Sequence, residues 1–219
     1  MKNNNPRDFK DQVWKGFAEV TKALGNPKRL ELVDLLVQRP RSVEGLATAL
    51  GASVGNTSQH LQVLKRARVV QTTRSGTTIT YALADGVSEV FVALRRLADS
   101  RSDALARSRT FFEEARISRV ELEQRLASGT AVVVDVRPRD EFDHGHIADA
   151  LSIPIEELTD RLDQIPRGLL VVATCRGPYC VFAEDAVRIL KADGRDAVRF
   201  EDGVAEWAAD GGHIAGASS

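Results

Sequence analysis

Two cysteines stand five positions apart in the segment VVATCRGPYCVFAEDAVRIL, and they are the only cysteines of the 219-residue chain. The residues before Cys175 are apolar and β-branched, which is typical of a buried strand, whereas those after Cys180 have helical spacing. Cysteine reacts as its thiolate, and the backbone N–H groups at a helix N-terminus favour an anion. A cysteine at such a junction is either a reactive thiol or a small buried core residue.

The elements around this junction alternate between strands and helices from about residue 117 onward. The runs AVVVDV, LLVVAT and DAVRF predict strands, while ISRVELEQRLASG, CVFAEDAVRILKADG and GVAEWAADG predict helices. Continuous apolar strands separated by helices are typical of a parallel sheet that is covered on both faces. The C-terminal part is therefore predicted to be an α/β domain with a mostly parallel sheet.

The segment VVVDVRPRDEFDHGHIADALSIPIEEL resembles the rhodanese family of sulfurtransferases, and the resemblance extends over about residues 117–215. It implies that Cys175 is the catalytic cysteine and opens a loop between a central strand and a helix. His144 and His146 beside Asp143 fit a structural loop of that family better than a metal site. The residues that carry the resemblance are Asp135, Arg137, Glu141, Phe142, Gly145, His146, Ile147, Ile153, Pro154 and Trp207.

In this rhodanese-like interpretation, the loop N–H groups form a cradle that holds a persulfide anion. Arg176 is expected to attract a small sulfur donor, such as thiosulfate or polysulfide, or to stabilise the thiolate. Two interpretations of Cys180 stay open, a packed small residue and a resolving thiol that bonds to Cys175. A related phosphatase fold needs an arginine six positions after Cys175, where this chain has Val181, so phosphate chemistry is not predicted. The cradle residues are Arg176, Gly177, Pro178, Tyr179 and Cys180.

The N-terminal part has a different order of elements. GNPKRLELVDLLVQRP, SVEGLATALG and SVGNTSQHLQVLKRA predict helices, VVQTTRSGTTITYAL predicts a β-hairpin, and a long helix follows over about residues 86–115. This is the order of a winged helix-turn-helix, whose second helix enters the major groove of DNA. His60 is alternatively a partly buried helix histidine. Val54, Ser58, Leu61 and Leu64 are expected to face the core, and the candidate DNA contacts are Ser53, Asn56, Thr57, Gln59, His60, Lys65 and, at the hairpin tip, Arg74.

The stretch from LGNPKRLELVDLL to SQHLQVLKRARVV resembles the ArsR/SmtB family of winged-helix repressors, and the resemblance covers about residues 10–105. It implies a homodimer that pairs through its first and last helices and binds an inverted-repeat operator in double-stranded DNA. Metal-sensing members carry thiolates at the positions of Ser42 and Glu44, or Asp and His on the last helix, which has no His here. The sequence therefore predicts no metal site and no cofactor.

The charge distribution separates the two parts. Residues 1–116 have a net charge of +7 and residues 117–219 a net charge of −8, which together give the formal −1 of the chain. A basic part joined to an acidic part suggests two domains, which we predict at residues 1–110 and 117–219. No apolar run is long enough to cross a bilayer, and we expect a cytoplasmic protein whose cysteines are thiols.

Three functions agree with this sequence. The first is a transcriptional repressor whose rhodanese-like domain senses or transfers sulfane sulfur through Cys175. The second is a thiosulfate or persulfide sulfurtransferase tethered to DNA, and the third is a dimeric regulator whose acidic domain binds another protein.

Overall fold

The computed structural model describes residues 6–101 and 115–216. The chain forms two compact units, Met1–Phe91 and Val92–Ser219. The rest of the predicted long helix, over residues 102–115, lies almost entirely outside the described residues. Within the described part of the chain, no helix is both long and apolar enough to span a membrane.

The first unit is built from helices whose ends follow local capping chemistry. The side chain of Asn26 accepts a hydrogen bond from Arg29 N, and Ser42 and Ser53 cap the next two helices in the same way. Gly51 ends one of them in the left-handed conformation, with φ 59°. The helices are α1 Pro6–Leu24, α2 Pro27–Gln38, α3 Val43–Leu50, α4 Val54–Arg66 and α5 Val87–Arg101, the last of which continues into the second unit.

A small antiparallel sheet completes this unit, with strand order β1-β3-β2. Ser75 pairs with Thr78, so the hairpin turn consists of Gly76 and Thr77. Arg74 was predicted at the hairpin tip, but it lies within the second strand and pairs with Ile79, because the turn falls later in the chain. The strands are β1 Arg41–Ser42, β2 Val70–Ser75 and β3 Thr78–Leu83.

The second unit contains a five-stranded sheet with order β4-β9-β8-β5-β7, and all of its strand pairs are parallel. The predicted α/β fold with a mostly parallel sheet is therefore confirmed. The sheet strands are β4 Arg116–Ile117, β5 Ala131–Asp135, β7 Leu151–Ser152, β8 Leu170–Thr174 and β9 Ala197–Phe200, and a separate pair is formed by β6 His146–Ile147 and β10 Ile214–Ala215.

Helices cover both faces of this sheet. One buried cluster packs Val171, Ala173 and Cys175 against the helix that follows the cysteines, and the other packs Val133 and Val172 against two further helices. Both clusters exclude water from the central strands, which explains why β8 is buried along its whole length. The helices are α6 Arg119–Ala127, α7 Arg139–His144, α8 Val181–Ala192 and α9 Val204–Ala209, with a 3₁₀ segment at Ile155–Gln164.

Candidate functional site

The two cysteines lie where the sequence predicted a strand–helix junction. β8 ends at Thr174, Cys175 follows it with 1% of its surface exposed, and Cys180 is the N-cap residue of α8. A disulfide joins Cys175 to Cys180, and their Cα atoms are 6.3 Å apart. The sequence predicted two free thiols. The structure instead contains a disulfide, because the curled loop brings the two sulfur atoms together.

Hydrogen bonds from within the loop and from β9 hold the loop backbone. Cys180 N donates to the carbonyl of Gly177 at 3.1 Å, which closes a turn across the loop. The carbonyl of Pro178 accepts from Nη2 of Arg199 at 2.8 Å. The N–H of Cys180 is therefore committed inside the protein and does not line the predicted cradle. An anion-binding role for the loop's other N–H groups stays a prediction.

Arg176 has a carboxylate partner that was not predicted from the sequence. Its Nε and Nη2 donate to Glu141 of α7 at 2.9 and 2.6 Å, and Glu141 is fully buried. The guanidinium also lies 5.8 Å from the centre of the Phe182 ring. This bidentate ion pair compensates the positive charge of Arg176, which was expected to attract a sulfur donor. It also fixes the start of the loop to α7.

Gly203 allows the loop to approach the N-terminus of α9. A Cβ atom built at Gly203 would lie 2.5 Å from the carbonyl oxygen of Arg176 and 2.6 Å from Cα of Gly177. Both contacts involve backbone, so they cannot be relieved by rotation of a side chain. Gly203 was not among the predicted site residues, although it stands in the segment EDGVAEW that carries Trp207.

We expect the substitution Gly203→Ala to displace the loop from α9. The second unit should lose about 1–3 kcal/mol of stability, as is usual when a tightly packed site is overfilled. The Cys175–Cys180 disulfide should also form more slowly. Thermal unfolding measures the loss of stability, and mass spectrometry during oxidation measures the rate of disulfide formation. Gly145→Ala is the control, because its Cβ would meet only a side-chain methyl of Ile214 at 3.4 Å. Equal stability and equal rates of disulfide formation in the two variants would contradict the role of Gly203 in the close approach of the loop to α9.

Residues of α5 that belong to the second unit also contact the loop. The Tyr179 hydroxyl donates to the carboxylate of Asp99, and Arg95 forms an ion pair with Glu206. Nη1 of Arg95 would lie 2.9 Å from a Cβ at Gly177, so the guanidinium covers the loop backbone there. Burial raises the pKa of the Glu206 carboxyl, while the nearby Arg95 opposes that shift.

The predicted recognition helix has a different buried face from the one expected. Thr57, a candidate DNA contact, is 1% exposed, whereas Val54, expected in the core, is 47% exposed. The core stripe is Thr57, Leu61 and Leu64, spaced by four and three residues, so the helix is rotated relative to the predicted phase. Thr57 is therefore excluded as a direct DNA contact.

The other candidate DNA contacts remain accessible. Asn56 and Gln59 are exposed, and His60 is half-buried. The side chain of Ser53 is committed to capping α4, and Nζ of Lys65 donates to the Thr72 hydroxyl at 2.8 Å. Arg74 is exposed, and its Nε donates to the carbonyl of Gly76 at 3.0 Å.

The positions that carry thiolates in metal-sensing repressors have other roles here. Ser42 caps α3 through a hydrogen bond from Gly45 N, and Glu44 is exposed on the first turn of that helix. Over residues 6–101 and 115–216, no cluster of three or more His, Cys, Asp or Glu side chains could hold a metal ion.

These features define a winged helix-turn-helix protein with a C-terminal α/β domain that presents a cysteine loop at a strand–helix junction. The sequence profile of the arsR family of bacterial regulatory proteins matches residues 26–72, and that of the rhodanese-like domain matches residues 118–210. The chain is 41% identical over 204 residues to the HTH-type transcriptional regulator Rv0324 of Mycobacterium tuberculosis, and the match covers 91% of this chain and 90% of that protein.

Two solved structures are similar to single parts of the chain. The homodimeric winged helix-turn-helix DNA-binding domain of Mb0332 from Mycobacterium bovis is 34% identical, with a TM-score of 0.43, and covers 48% of this chain and 95% of its own. A rhodanese-related protein from Thermoplasma volcanium is 25% identical, with a TM-score of 0.42, and covers 47% of this chain and 98% of its own. With its similarity to Rv0324, the chain belongs to the arsR family of HTH-type transcriptional regulators and carries a rhodanese-like domain.

Proposed function

We propose that this regulator is a homodimeric repressor that acts in the cytoplasm and loses its operator when sulfane sulfur reacts at Cys175. The observation that carries the proposal is the bond between the only two cysteines of the chain, at the N-terminus of α8. A disulfide that forms on oxidation and breaks on reduction can change the conformation of a protein reversibly. The winged-helix unit has Ser42 and Glu44 in place of sensor thiolates, so the signal has to come from elsewhere.

The chemistry needs a sulfane-sulfur donor such as a polysulfide. The Cys175 thiolate attacks the terminal sulfur of the donor, the donor's S–S bond breaks, and the shortened polysulfide leaves with the electron pair. Cys175 then carries a persulfide. The Cys180 thiolate attacks the Sγ atom of Cys175, and hydrosulfide leaves as the disulfide forms. The two thiols are oxidised, the transferred sulfur is reduced, and a thiol reductant restores the starting state.

Pairing of two chains is supported by exposed apolar side chains on the first helix. Phe9, Trp14 and Phe17 of α1 are 65%, 64% and 59% exposed. Such a stripe is unfavourable in water and is covered when a second copy packs against it. We expect a dimer with one α4 per half-site, on an inverted repeat whose half-site centres are about 10 bp apart or a multiple of that distance.

Gln59 provides a test of base recognition. It is exposed on α4, and a glutamine there can make a bidentate hydrogen bond to adenine in the major groove. We expect Gln59→Ala to reduce discrimination between the operator and single-base variants by about 1–3 kcal/mol at one position in each half-site. Fluorescence anisotropy at fixed salt measures this effect, with Gln62→Ala as an exposed control on the same helix. Equal weakening for every DNA sequence would instead indicate a backbone contact.

Helix α5 is the proposed route from the cysteine loop to the DNA-binding unit. Its residues Val87 and Phe91 pack in the core of the first unit, and its residue Asp99 accepts a hydrogen bond from Tyr179 of the loop. A change in loop shape alters the Tyr179–Asp99 contact and so acts on a helix that continues into the first unit.

The proposal is tested by measuring operator binding of the reduced protein before and after treatment with polysulfide, peroxide or thiosulfate. We expect polysulfide to release the operator and to leave either one added sulfur on Cys175 or the disulfide. A thiosulfate and cyanide assay separates this function from the enzyme alternative. Rapid turnover with unchanged operator binding would reject the sensing role.

A further inference from the structure

Arg199 is a buried charged residue of the parallel sheet, and its in-register partner on one side, Arg116 of β4, is charged as well. It lies in β9 and pairs in register with Ala173 of β8, and residues in register on neighbouring strands share a face of the sheet. Ala173 and Cys175 pack against α8, so the Arg199 side chain occupies the same layer between the sheet and α8. Only 1% of its surface is exposed.

Groups around the loop hold this guanidinium. Nη2 donates to the carbonyl of Pro178 at 2.8 Å, and Nη1 lies 3.8 Å from Oε2 of Glu184, which is also buried in the first turn of α8. Burial lowers the pKa of Arg199, Arg116 lowers it further, and Glu184 opposes the shift. A buried ion pair is costly compared with apolar residues of the same size, so packing alone does not account for it.

The hydrogen bond to Pro178 orients the loop backbone. Every described peptide bond is trans, so the N–H of Tyr179 points opposite to the Pro178 carbonyl and away from Arg199. The Pro178 carbonyl lies inside the turn that Gly177 and Cys180 close. Arg199 thus acts on the centre of the segment that separates the two sulfur atoms.

We infer that Arg199 is a positioning residue that holds the loop in the curled form in which Cys175 and Cys180 meet. This inference rests on the proposed sulfur chemistry of the loop. Arg199 is not assigned a step in the sulfur transfer itself. Arg199 acts through its hydrogen bond to the Pro178 carbonyl. The nearby carboxylate of Glu184 compensates the buried positive charge of Arg199.

The test is the thiol–disulfide equilibrium with glutathione, in which the protein dithiol and oxidised glutathione give the protein disulfide and two reduced glutathione molecules. The variant is the full chain with Arg199→Met and Glu184→Met together, which removes both buried charges. We expect its equilibrium constant for disulfide formation to fall about tenfold, which corresponds to about 1.4 kcal/mol, with a Tm no lower than that of the wild type. A loss of fold stability alone would move the Tm instead.

Arg188→Met is the matched control. Arg188 is half-exposed on α8 and lies 3.6 Å from Glu184, and no hydrogen bond to Pro178 is described for it, so its equilibrium constant should equal that of the wild type. An unchanged constant in the double variant would overturn the inference. If that variant fails to fold, Arg199→Lys decides, because a lysine ammonium lacks the planar fork by which Nη1 and Nη2 face the two groups. A fall of about twofold or more supports positioning, and a wild-type constant overturns it.

Failure of this inference can be distinguished from failure of the proposed function. The glutathione equilibrium requires no DNA, so the inference about Arg199 fails or stands on the loop alone. Operator release by polysulfide in the wild type tests the sensing role separately.

Discussion

We expect the Cys175→Ser variant to bind its operator with wild-type affinity and to show no response to polysulfide. Serine nearly matches cysteine in size, and Cys175 is buried at the end of β8, so the fold should be kept. A serine hydroxyl is far less acidic and less nucleophilic than a thiol and has no sulfur atom to carry the added sulfur, so no persulfide forms at this position. Fluorescence anisotropy of the reduced protein, with and without polysulfide, measures the response.

The change in operator affinity that polysulfide causes in the wild type determines how large the loss in Cys175→Ser can be. A regulator that moves from mostly bound to mostly released, from 99:1 to 1:99, needs a change of about 5.5 kcal/mol between its two states. In Cys175→Ser the entire change should disappear. The control is Cys180→Ser, which should gain one sulfur atom at Cys175 without forming a disulfide. Operator release from polysulfide-treated Cys175→Ser would show that the sensor lies elsewhere in the chain.

We expect the Asp135→Ala variant to lose about 3–5 kcal/mol of stability in the second unit. Asp135 ends β5 and is fully buried, and it accepts hydrogen bonds from Nε and Nη2 of Arg137 at 3.0 and 2.6 Å. Arg137 also donates to the carbonyl of Gly145 at 2.7 Å. Removal of the carboxylate leaves a guanidinium that is 1% exposed without its counter-charge, which is far more costly than the loss of an exposed pair.

Differential scanning calorimetry measures this effect as a lowered transition of the second unit. A domain has about 5–15 kcal/mol of stability, so the loss is a large share of the total. Asp163→Ala, at an exposed position of the 3₁₀ segment, is the control and should change stability by less than about 0.5 kcal/mol. A difference of under about 1 kcal/mol between the two variants would mean that water or a neighbouring group replaces the carboxylate.

The features that the sequence predicted best depend on residues close together in the chain. Asn26 with Pro27 marked the start of α2, Ser42 and Ser53 marked two further helices, and Gly51 marked a helix end. Each of these signals is a hydrogen bond or a backbone conformation within about five residues, so its chemistry is complete in the sequence.

The orientation of α4 was predictable only in part. The 13-residue helix has few apolar residues, and its spacing allowed two neighbouring phases. Packing against α2 and α3 selects the phase in which Leu61 and Leu64 are joined by Thr57. Val54 is left exposed because it lies outside that stripe, although it is more apolar than Thr57.

The sequence by itself determined the opposite net charges of residues 1–116 and 117–219 and the placement of both cysteines between a strand and a helix. Only the tertiary structure decided which distant groups surround them. Glu141 and Arg176 are 35 positions apart, and Pro178 and Arg199 are 21 apart. Such pairs depend on the order of the strands in the sheet. Pro178 and Arg199 meet because β9 lies beside β8, and this order is set by how all five strands are connected and packed. Short strands of mostly apolar residues carry little local signal for their neighbours, so the groups that hold the cysteine loop become visible only in the folded chain.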